Sequence, residues 1–476
     1  MPVTRRRALQ LAGLGYLYTG PAWSVARAAG ANDRLRVACV GVGGKGSSDT
    51  DQVAKVMDVA ALCDIDADRL GKKADLFPKA KTFPDWRTLF DAVLKDVDAV
   101  TVSTPDHSHA GPAVRAMLAG KHVYVQKPLA HTPAEARLLR EVAERTGVCT
   151  QMGNQGSALN GLRRAVELVQ GGTIGEVKEA HVWTNRPFKY WKQAPDVVSR
   201  PPTAKVPTGV AWDEWLGPAP ERPYAVRAGG KPAYHPHDWR GFWDFGTGAL
   251  GDMACHTANM AYRALKLGAP TSVVARAGEI NPETYPAWAH ITYQFPARGG
   301  LPACALNWYE GERSGKRMLP PTGLLAKVLK DGEKPADSGS LLVGSDGLLY
   351  SPNDYGAVVR LTPAADFAGL QTAHPERGPA GTLLDVDAFM KAEWAAAIRA
   401  GKPGRASSHF GIAGQLTETM LLGNIAVRFA GTELAWDAAG LRFPGSKEAS
   451  RLVRTEYRKG WELPTAAAPA RTKVLD

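Results

Sequence analysis

The chain has 476 residues, of which 44% are hydrophobic, so it is long enough for two compact domains. Its net charge of +11 falls to +7 without the arginines of the first 28 residues, and the rest is scattered, which argues against a nucleic-acid partner. The 50 glycines and 34 prolines show no repeating period and indicate many turns rather than disorder.

Residues 1–28 have the features of an export signal. A basic start is followed by an apolar stretch too short to span a bilayer, and residues 26–28 form an A-x-A peptidase site. Residues 4–9 resemble the twin-arginine signature, without its usual aromatic residue and lysine. That route carries folded proteins, so a cofactor can be loaded before export. We expect a periplasmic or otherwise exported protein with no membrane span.

Between residues 34 and 155, short apolar runs alternate with helical patterns. The runs are LRVACVG, DVAALCD, DAVTVST, HVYVQKP and VCTQMG. Repeated strand-then-helix order predicts a parallel sheet with helices on both faces. We therefore expect an α/β domain of the doubly wound Rossmann type in this part of the chain.

A glycine motif directly after the first strand predicts a dinucleotide site. Its glycines have the G-x-G-x-x-G spacing, and the loop contains Gly41, Gly43, Gly44 and Gly46. Glycines let the backbone approach a pyrophosphate at a helix N-terminus, and Asp64, at the end of the second strand, can bind a ribose diol and repel a 2′-phosphate. The pattern favours NAD, while Lys45 and Arg69 keep NADP open as an alternative.

Further polar residues follow the next two apolar runs. Thr104 and Pro105 end one strand and Lys127 ends the other, at the carboxyl edge where such sheets bind ligands. We expect these three residues to contact the nucleotide, and Lys127 also to reach a substrate hydroxyl. His107 is a further cofactor-binding candidate, although helix capping or loop polarity explains it equally well.

After Gln155 the alternation of strands and helices stops. The runs EVKEAHVWTNRP, TSVVARAGE, AWAHITYQFP, PACALNWYEG and GSLLVGSDGLLYSP predict an open-faced, mostly antiparallel sheet. We assign an α+β domain for substrate binding and oligomerisation to residues 156–445 and a tail to 446–476. Four helical patterns are expected to pack around this sheet, at 158–171, 250–266, 384–400 and 410–430.

Asp252 and His256 are four residues apart in GDMACH, so they share one face of a helix. Oxidising a secondary alcohol needs a base, which histidine suits, while the carboxylate can fix substrate hydroxyls or orient the imidazole. A capping acid and a structural histidine are the alternative. A metal site that adds His235 and His237 is disfavoured because the spacing matches no compact site, and no metal is predicted.

Two aromatic clusters, NRPFKYWKQ and YHPHDWRGFWDFG, flank this motif. Aromatic faces beside arginine and histidine suit a sugar ring, although core packing explains single members at least as well. The aromatic members are Phe188, Tyr190, Trp191, Trp239, Phe242 and Trp243. The predicted substrate-binding residues are Asn154, Arg186, Tyr190, Trp191, His237, Trp239, Arg240 and Asp252.

The leader, the glycine loop, STPDHSH, QKP and GDMACH together resemble the Gfo/Idh/MocA family, which includes glucose-fructose oxidoreductase and inositol dehydrogenase. The resemblance covers about residues 34–310. It implies a catalytic set of Lys127, Asp252 and His256, a small sugar as substrate, and a homo-oligomer assembled through the second sheet. The family usually has E-K-P where this chain has Q-K-P at 126–128.

An exported dehydrogenase that released NADH would stall, because nothing outside the cytoplasm recharges it. We therefore expect an oxidoreductase that acts on a sugar or polyol and keeps its nicotinamide cofactor tightly bound. The chain also resembles NAD-dependent glycoside hydrolases, in which transient oxidation at C3 permits elimination of the aglycone. That activity is one alternative, and a catalytically inactive sugar-binding protein is another.

Overall fold

The computed structural model describes residues 34–186, 190–372 and 383–464. The predicted leader, Phe188 and the last part of the predicted tail lie outside the described residues. Across the described ranges, none of the helices combines the length and the apolar character that a membrane crossing requires.

The first sheet is parallel, with strand order β3-β2-β1-β4-β5-β6. Its strands are β1 (Arg36–Val40), β2 (Asp58–Cys63), β3 (Lys81–Phe83), β4 (Ala99–Val102), β5 (His122–Val125) and β6 (Thr150–Met152). Five of the six are the predicted apolar runs. β3 escaped prediction because it is a short, largely exposed edge strand without a buried apolar run.

Helices connect these strands and cover both faces of the sheet, which confirms the predicted doubly wound architecture. They are α1 (Lys45–Val53), α2 (Ala67–Leu76), α3 (Trp86–Val93), α4 (Ala110–Leu118) and α5 (Pro133–Thr146). The start of α5 is fixed by a capping box, in which Thr132 and Glu135 each accept a hydrogen bond from the other's backbone N–H.

The second sheet is mixed and mostly antiparallel, as predicted, with strand order β14-β13-β12-β7-β10-β9-β8-β15 and β11 paired to β10. Among the described strands of this sheet, only β7 and β10 pair in parallel. The strands are β7 (Val177–Thr184), β8 (Ser272–Ala277), β9 (Trp288–Phe295), β10 (Cys304–Arg313), β11 (Lys316–Arg317), β12 (Gly339–Gly344), β13 (Leu348–Ser351), β14 (Arg360–Thr362) and β15 (Glu433–Ala435).

Eight α-helices follow the first domain within the described residues. They are α6 (Asn160–Gln170), α7 (Trp212–Leu216), α8 (Gly248–Thr257), α9 (Asn259–Ala264), α10 (Thr322–Leu325), α11 (Leu383–Arg399), α12 (Phe410–Arg428) and α13 (Lys447–Arg451). Helix α12 joins the two domains: its Glu418 binds Arg137 of α5, and the Met420 carbonyl accepts a hydrogen bond from Tyr293 of β9.

Helix α11 packs on the first sheet, so the expectation that residues 384–400 surround the second sheet is wrong. Met390 and Trp394 are four apart and form one apolar face, which is buried in the same cluster as Val37 and Tyr124. The Trp394 indole also donates to the Cys149 carbonyl at 3.0 Å. The late segment of the chain thus completes the helical cover of the nucleotide-binding domain.

Between β7 and α8 the chain forms an irregular segment, residues 190–247, which we call the insertion lobe. Its buried aromatic residues, including Trp215 and Tyr234, form an apolar cluster of their own. The lobe reaches the end of β2, where Ala211 donates a backbone hydrogen bond to the Ile65 carbonyl at 2.8 Å. The second domain therefore covers the carboxyl edge of the first sheet.

Candidate active site

The glycine loop requires glycine for steric reasons. Gly41 and Gly44 have φ values of 77° and 53°, a backbone conformation that residues with a side chain rarely adopt. A Cβ at Gly41 would lie 2.7 Å from the Ser103 carbonyl oxygen, and one at Gly46 would lie 1.9 Å from the Gly41 oxygen. The loop therefore packs directly on β4, and the start of α1 packs directly on the loop.

Asp64 braces this loop from the end of β2. One carboxylate oxygen accepts hydrogen bonds from the Val42 and Gly43 N–H groups, both at 2.9 Å, and the other accepts from Asp66 at 3.0 Å. Burial raises the pKa of this carboxyl group, and the hydrogen bonds oppose the rise. Asp64 borders the cleft as predicted and also fixes the shape of the loop.

The two cations that kept NADP open lie in different places. Arg69 lies over the glycine loop, where a Cβ on Gly43 would be 2.6 Å from its side chain, and it pairs with Asp66 at 3.3 Å. Lys45 instead pairs with Asp387 of α11. Of the two, Arg69 is the cation beside Asp64.

A cleft extends from Asp64, past the glycine loop, to Lys127 and Asp252. Most of the predicted cofactor-binding residues border it, namely Gly41, Gly43, Gly44, Asp64, Thr104, Pro105 and Lys127. Gly46 lies beneath the loop, where its lack of a side chain permits the packing described above. The nucleotide and substrate motifs of the sequence thus meet in one cleft.

His107 is the exception among the predicted cofactor contacts. It does not border the cleft, and its ring nitrogens lie 3.2 Å from the Phe245 carbonyl oxygen and 3.0 Å from that of Trp215. Burial lowers its pKa to about 3, so the ring is neutral. Cofactor contact by His107 stays a prediction, and its observed contacts link the insertion lobe to the first domain.

Lys127 and Asp252 form the centre of the polar end of the cleft. The lysine Nζ lies 2.7 Å from Asp252 Oδ1 and 2.9 Å from the Asp252 carbonyl oxygen, and Arg240 Nε lies 3.5 Å from the same carboxylate. Burial alone would raise the pKa of Asp252, but the two cations hold it well below its ordinary value. Asp252 is therefore ionised and pairs with both Lys127 and Arg240.

His256 lies one helical turn beyond Asp252 and is 3% exposed. It does not border the main cleft, and its Nδ1 is buried with no hydrogen-bond partner in the described chain. Burial, together with the positive charges of Lys127 and Arg186, lowers its pKa well below the ordinary value. The ring of Tyr355 contacts it edge-on, with 4.8 Å between the ring centres.

The predicted substrate-binding residues divide into two groups. His237, Trp239, Arg240 and Asp252 border the cleft. Arg240 also stacks over the Trp239 ring at 4.3 Å, which gives this wall an aromatic face beside a cation. Arg186 stacks over Tyr190 at 3.6 Å, outside the lining of this cleft, and its charge acts on His256.

Asn154 and Trp191 have structural partners instead of facing the cleft. The Asn154 amide is fully buried and donates to the Cys255 carbonyl at 2.9 Å, which ties β6 to α8. The Trp191 indole donates to Gln193 at 2.9 Å and is 4% exposed. Neither side chain borders the cleft, and contact of either one with substrate stays a prediction.

Four residues of the insertion lobe border the cleft without having been predicted as site residues, namely Glu214, Trp215, His235 and Pro236. Trp215 forms part of the wall, and His235 borders it and lies 3.0 Å from an Asp66 carboxylate oxygen. Their only sequence signal was the aromatic content of the segment. Within the described ranges no three histidine, cysteine, aspartate or glutamate side chains converge to form a metal site.

The residues of the cleft fit a bound dinucleotide. The glycine loop leaves no room for a Cβ at Gly41 or Gly46, no side chain caps the N-terminus of α1, and an acid lies at the end of β2. Arg69, Trp215 and His235 border the same end of the cleft. At the other end, Lys127 and Asp252 offer a donor and an acceptor to hydroxyl groups.

Comparison with known proteins gives the same assignment. Residues 35–154 match the oxidoreductase family with an NAD-binding Rossmann fold, and residues 161–301 match the C-terminal α/β domain of that family. Inositol 2-dehydrogenase of Salmonella typhimurium is 30% identical over 152 residues, which cover 31% of this chain and 45% of that protein. A glycosyl hydrolase family 109 protein of Solibacter usitatus is 33% identical over 193 residues, covering 37% and 44%. The matches thus span less than half of these two relatives.

Solved structures resemble nearly the whole fold. Levoglucosan dehydrogenase, in complex with NADH and levoglucosan, superposes with a TM-score of 0.57 at 16% identity and covers 84% of this chain and 99% of that one. An inositol dehydrogenase homologue of Azotobacter vinelandii, with NADH and myo-inositol, gives 0.57 and 16%, covering 85% and 98%. With both domain matches and this fold, the chain belongs to the Gfo/Idh/MocA oxidoreductase family and has an NAD-binding Rossmann domain.

Proposed function

We propose that this protein oxidises a secondary hydroxyl group of a sugar or polyol by hydride transfer to a tightly bound NAD. The carrying observation is the ion pair between Lys127 and Asp252, which borders the same cleft as the glycine loop. The named substrates of the relatives, inositol and levoglucosan, belong to this chemical class.

The polar end of the cleft suits a hydroxylated ring. Lys127 donates to a substrate oxygen, and Asp252, held as an anion, accepts from a neighbouring hydroxyl group. Arg240 and the Trp239 ring provide a cation and an apolar face on the same wall. NAD, when bound, supplies the hydride acceptor.

His256 is the proposed base for the hydroxyl proton. Its burial and the nearby cations keep the imidazole neutral at neutral pH, which is the state a base requires. Its Nδ1 makes no hydrogen bond in the described chain, so this ring nitrogen is not used to hold the fold together. Because His256 lies one turn beyond Asp252, we propose that it receives the proton as substrate fills the polar end of the cleft.

The insertion lobe supports retention of the nucleotide. Trp215 and His235 border the same cleft as the glycine loop, and His235 pairs with Asp66 at 3.0 Å. His107 lies between two backbone carbonyls of the lobe and, as a neutral imidazole, donates its single N–H to one of them. Release of NAD therefore requires displacement of packed side chains, which slows dissociation. A retained nucleotide also suits the proposed export of the folded, loaded protein by the twin-arginine route as a homo-oligomer.

NAD-dependent glycoside hydrolysis is the second candidate. The observation that favours it is the 33% identity to a glycosyl hydrolase family 109 protein. The same residues would serve transient oxidation of the sugar, which is then reduced again within one turnover. A sugar-binding protein without catalysis is the third candidate.

The test is to denature the purified protein, identify the released nucleotide, and then offer the intact protein a panel of polyols, free sugars and chromogenic glycosides. The proposal predicts NAD or NADH in the released fraction and reduction of the nucleotide by a polyol or free sugar. Aglycone release without net reduction would assign the hydrolase activity instead. Sugar binding with neither reaction would assign the inactive protein.

A further inference from the structure

Asp49 is a buried carboxylate that the predicted site did not include. It lies in the second turn of α1, directly after the glycine loop, and its residue exposure is 0%. A carboxylate in such a place persists only where donors and positive charges surround it. Its partners therefore show what it holds in position.

Four segments of the chain converge on Asp49. Oδ2 accepts from Ser103 Oγ at 2.8 Å, after β4, and from Gln126 Nε2 at 2.7 Å, after β5. Oδ1 lies 2.6 Å from Lys391 Nζ of α11 and 3.2 Å from Lys45 Nζ at the start of α1. Ser103, Gln126 and Lys45 all border the nucleotide cleft.

Charge balance keeps this cluster ionised. Burial by itself would raise the pKa of Asp49, but Lys391 and Lys45 lower it to about 2. Lys391 is 0% exposed at its side chain and also lies 3.9 Å from the centre of the Tyr124 ring. The buried lysine of α11 and the buried acid of α1 thus depend on each other.

The glutamine of Q-K-P is complementary to this acid. Gln126 presents an amide N–H to a carboxylate oxygen, and Gly153 leaves room for it, because a Cβ there would lie 2.5 Å from Gln126 Nε2. A glutamate at position 126 would place two carboxylates within hydrogen-bond distance. Two such groups cannot both ionise without strong repulsion.

We propose that Asp49 is a positioning residue of the nucleotide cleft, which holds Gln126, Ser103 and Lys45 in place. Gln126 directly precedes Lys127, so the orientation of this amide sets the backbone from which Lys127 extends. The inference rests on the proposed use of NAD.

The first test measures NADH binding by the Gln126→Glu variant. Binding is monitored by fluorescence at pH values between about 5.5 and 8.5. At low pH one proton shared by the two acids restores a donor to Asp49, so affinity approaches that of the wild type. As the pH rises the proton is lost, and we expect the affinity to fall by about tenfold or more. We expect the NADH affinity of the wild type to show no such decrease as the pH rises.

Other groups near Asp49 do not produce this pH dependence. The titratable and charged groups that face it, from α1, β1, β5 and α11, are Lys45, Cys39, Tyr124, Asp387 and Lys391. Burial raises the pKa of Cys39 to about 11 and that of Tyr124 well above its ordinary value. A decrease in NADH affinity near neutral pH that only the variant shows is therefore caused by titration of the two carboxyl groups at positions 49 and 126.

The second test exchanges the two groups in Asp49→Asn/Gln126→Glu. We expect Gln126→Glu to lower thermal stability and NADH affinity in the wild type, but to raise both in the Asp49→Asn background, where it returns a carboxylate to Lys391. This reversal of sign is visible in the melting temperature even if a single variant binds no NADH. Asp51→Asn is the matched control, since Asp51 lies in the same helix and pairs with Lys73 away from the cluster.

Additive effects of the two substitutions, or Gln126→Glu behaviour equal to the wild type at all pH values, would overturn the inference. A destabilised Gln126→Glu variant whose losses do not change with pH and are not reversed by Asp49→Asn would show ordinary core disruption. If the wild type itself binds no NADH, the proposed function fails. In that case the sign of the coupling in melting temperature still decides the pairing of Asp49 with Gln126.

Discussion

Lys127 and Asp252 are 125 positions apart in the chain, yet their side chains meet at 2.7 Å in the cleft that the glycine loop borders. Lys127 follows β5 at the carboxyl edge of the parallel sheet. Asp252 lies in α8, the helix that follows the insertion lobe. This pair joins the nucleotide-binding domain to the second domain at the point where chemistry is proposed. The predictions below test it and the elements around it.

Lys127→Met is expected to lower kcat/KM for the substrate by about a thousandfold, because it removes a donor and leaves Asp252 with Arg240 alone. Steady-state kinetics on the protein loaded with NAD would measure this loss. Lys55→Met, which removes an exposed lysine of the same domain, is the control. Equal activity of the two variants would show that Lys127 does not act on substrate.

The proposed role of His256 as a base predicts how kcat/KM depends on pH. Its pKa is depressed, so the base is already deprotonated well below pH 6.5, and activity is lost only as the pH falls through that low value. The profile of kcat/KM should therefore be flat from about pH 6.5 to 8. His256→Ala should lower kcat by about a hundredfold or more and remove the acid limb. An acid limb above pH 6.5, or one that persists in His256→Ala, contradicts this role.

The insertion lobe is expected to control release of the nucleotide. Trp215→Ala and His235→Ala each remove a side chain that lines the cleft and should speed NAD dissociation by about tenfold, equivalent to about 1.4 kcal/mol. Dissociation can be followed by dilution into a trap for free NAD. His290→Ala changes a histidine of the second sheet and serves as the control. Unchanged release from both lobe variants would separate the lobe from retention.

Two glycines provide a matched pair. Gly46→Ala would place a Cβ 1.9 Å from the Gly41 oxygen, so it should abolish NAD binding or folding. Gly71→Ala in α2 meets nothing within 4 Å and should stabilise the protein by about 0.5–1 kcal/mol, because alanine favours the helix. Thermal unfolding and NAD titration measure both effects. Tolerance of Gly46→Ala would refute the close packing of loop and helix.

Glu310 predicts a pH-dependent stability outside the site. Burial raises the pKa of this carboxyl group to about 7, although Trp308 donates to it. Because the folded state holds the proton more tightly, this group favours folding at low pH, and that stability is lost as the pH rises from about 4.5 to about 7. Glu310→Gln should therefore stabilise the protein by about 3 kcal/mol at pH 8 and by little at pH 4.5. A benefit independent of pH would contradict the assignment.

The nucleotide-binding half was predictable because its signals are local. The run before Gly41, the spacing of the glycines and the acid at position 64 all act within a stretch of about thirty residues, where strand burial and loop geometry leave few alternatives. The edge strand β3 has no such signal. The second sheet was predictable from its apolar runs, but not its strand order, which depends on pairing between distant segments.

Part of the cleft was predictable from local patterns, since His237, Trp239 and Arg240 of the aromatic cluster border it. The family resemblance grouped Lys127, Asp252 and His256 as a catalytic set. No local pattern indicated that the polar atoms of His107, Asn154 and Trp191 would bond partners within the fold. Lys391 meets Asp49 across 342 positions, and no spacing rule indicates such a contact. Periodicity shows that residues 384–400 form an amphipathic helix but does not show which sheet it covers.

The most direct test of the central claim is transfer of deuterium. The purified protein, carrying its own nucleotide, would be incubated with a panel of deuterated sugars and polyols and then denatured, and the released nucleotide would be analysed by mass spectrometry. The account predicts that deuterium from a sugar carbon appears on the nicotinamide ring in the wild type, and about a hundredfold or more slowly in His256→Ala. Failure of every panel member to label a nucleotide that the protein demonstrably carries would contradict hydride transfer in this cleft.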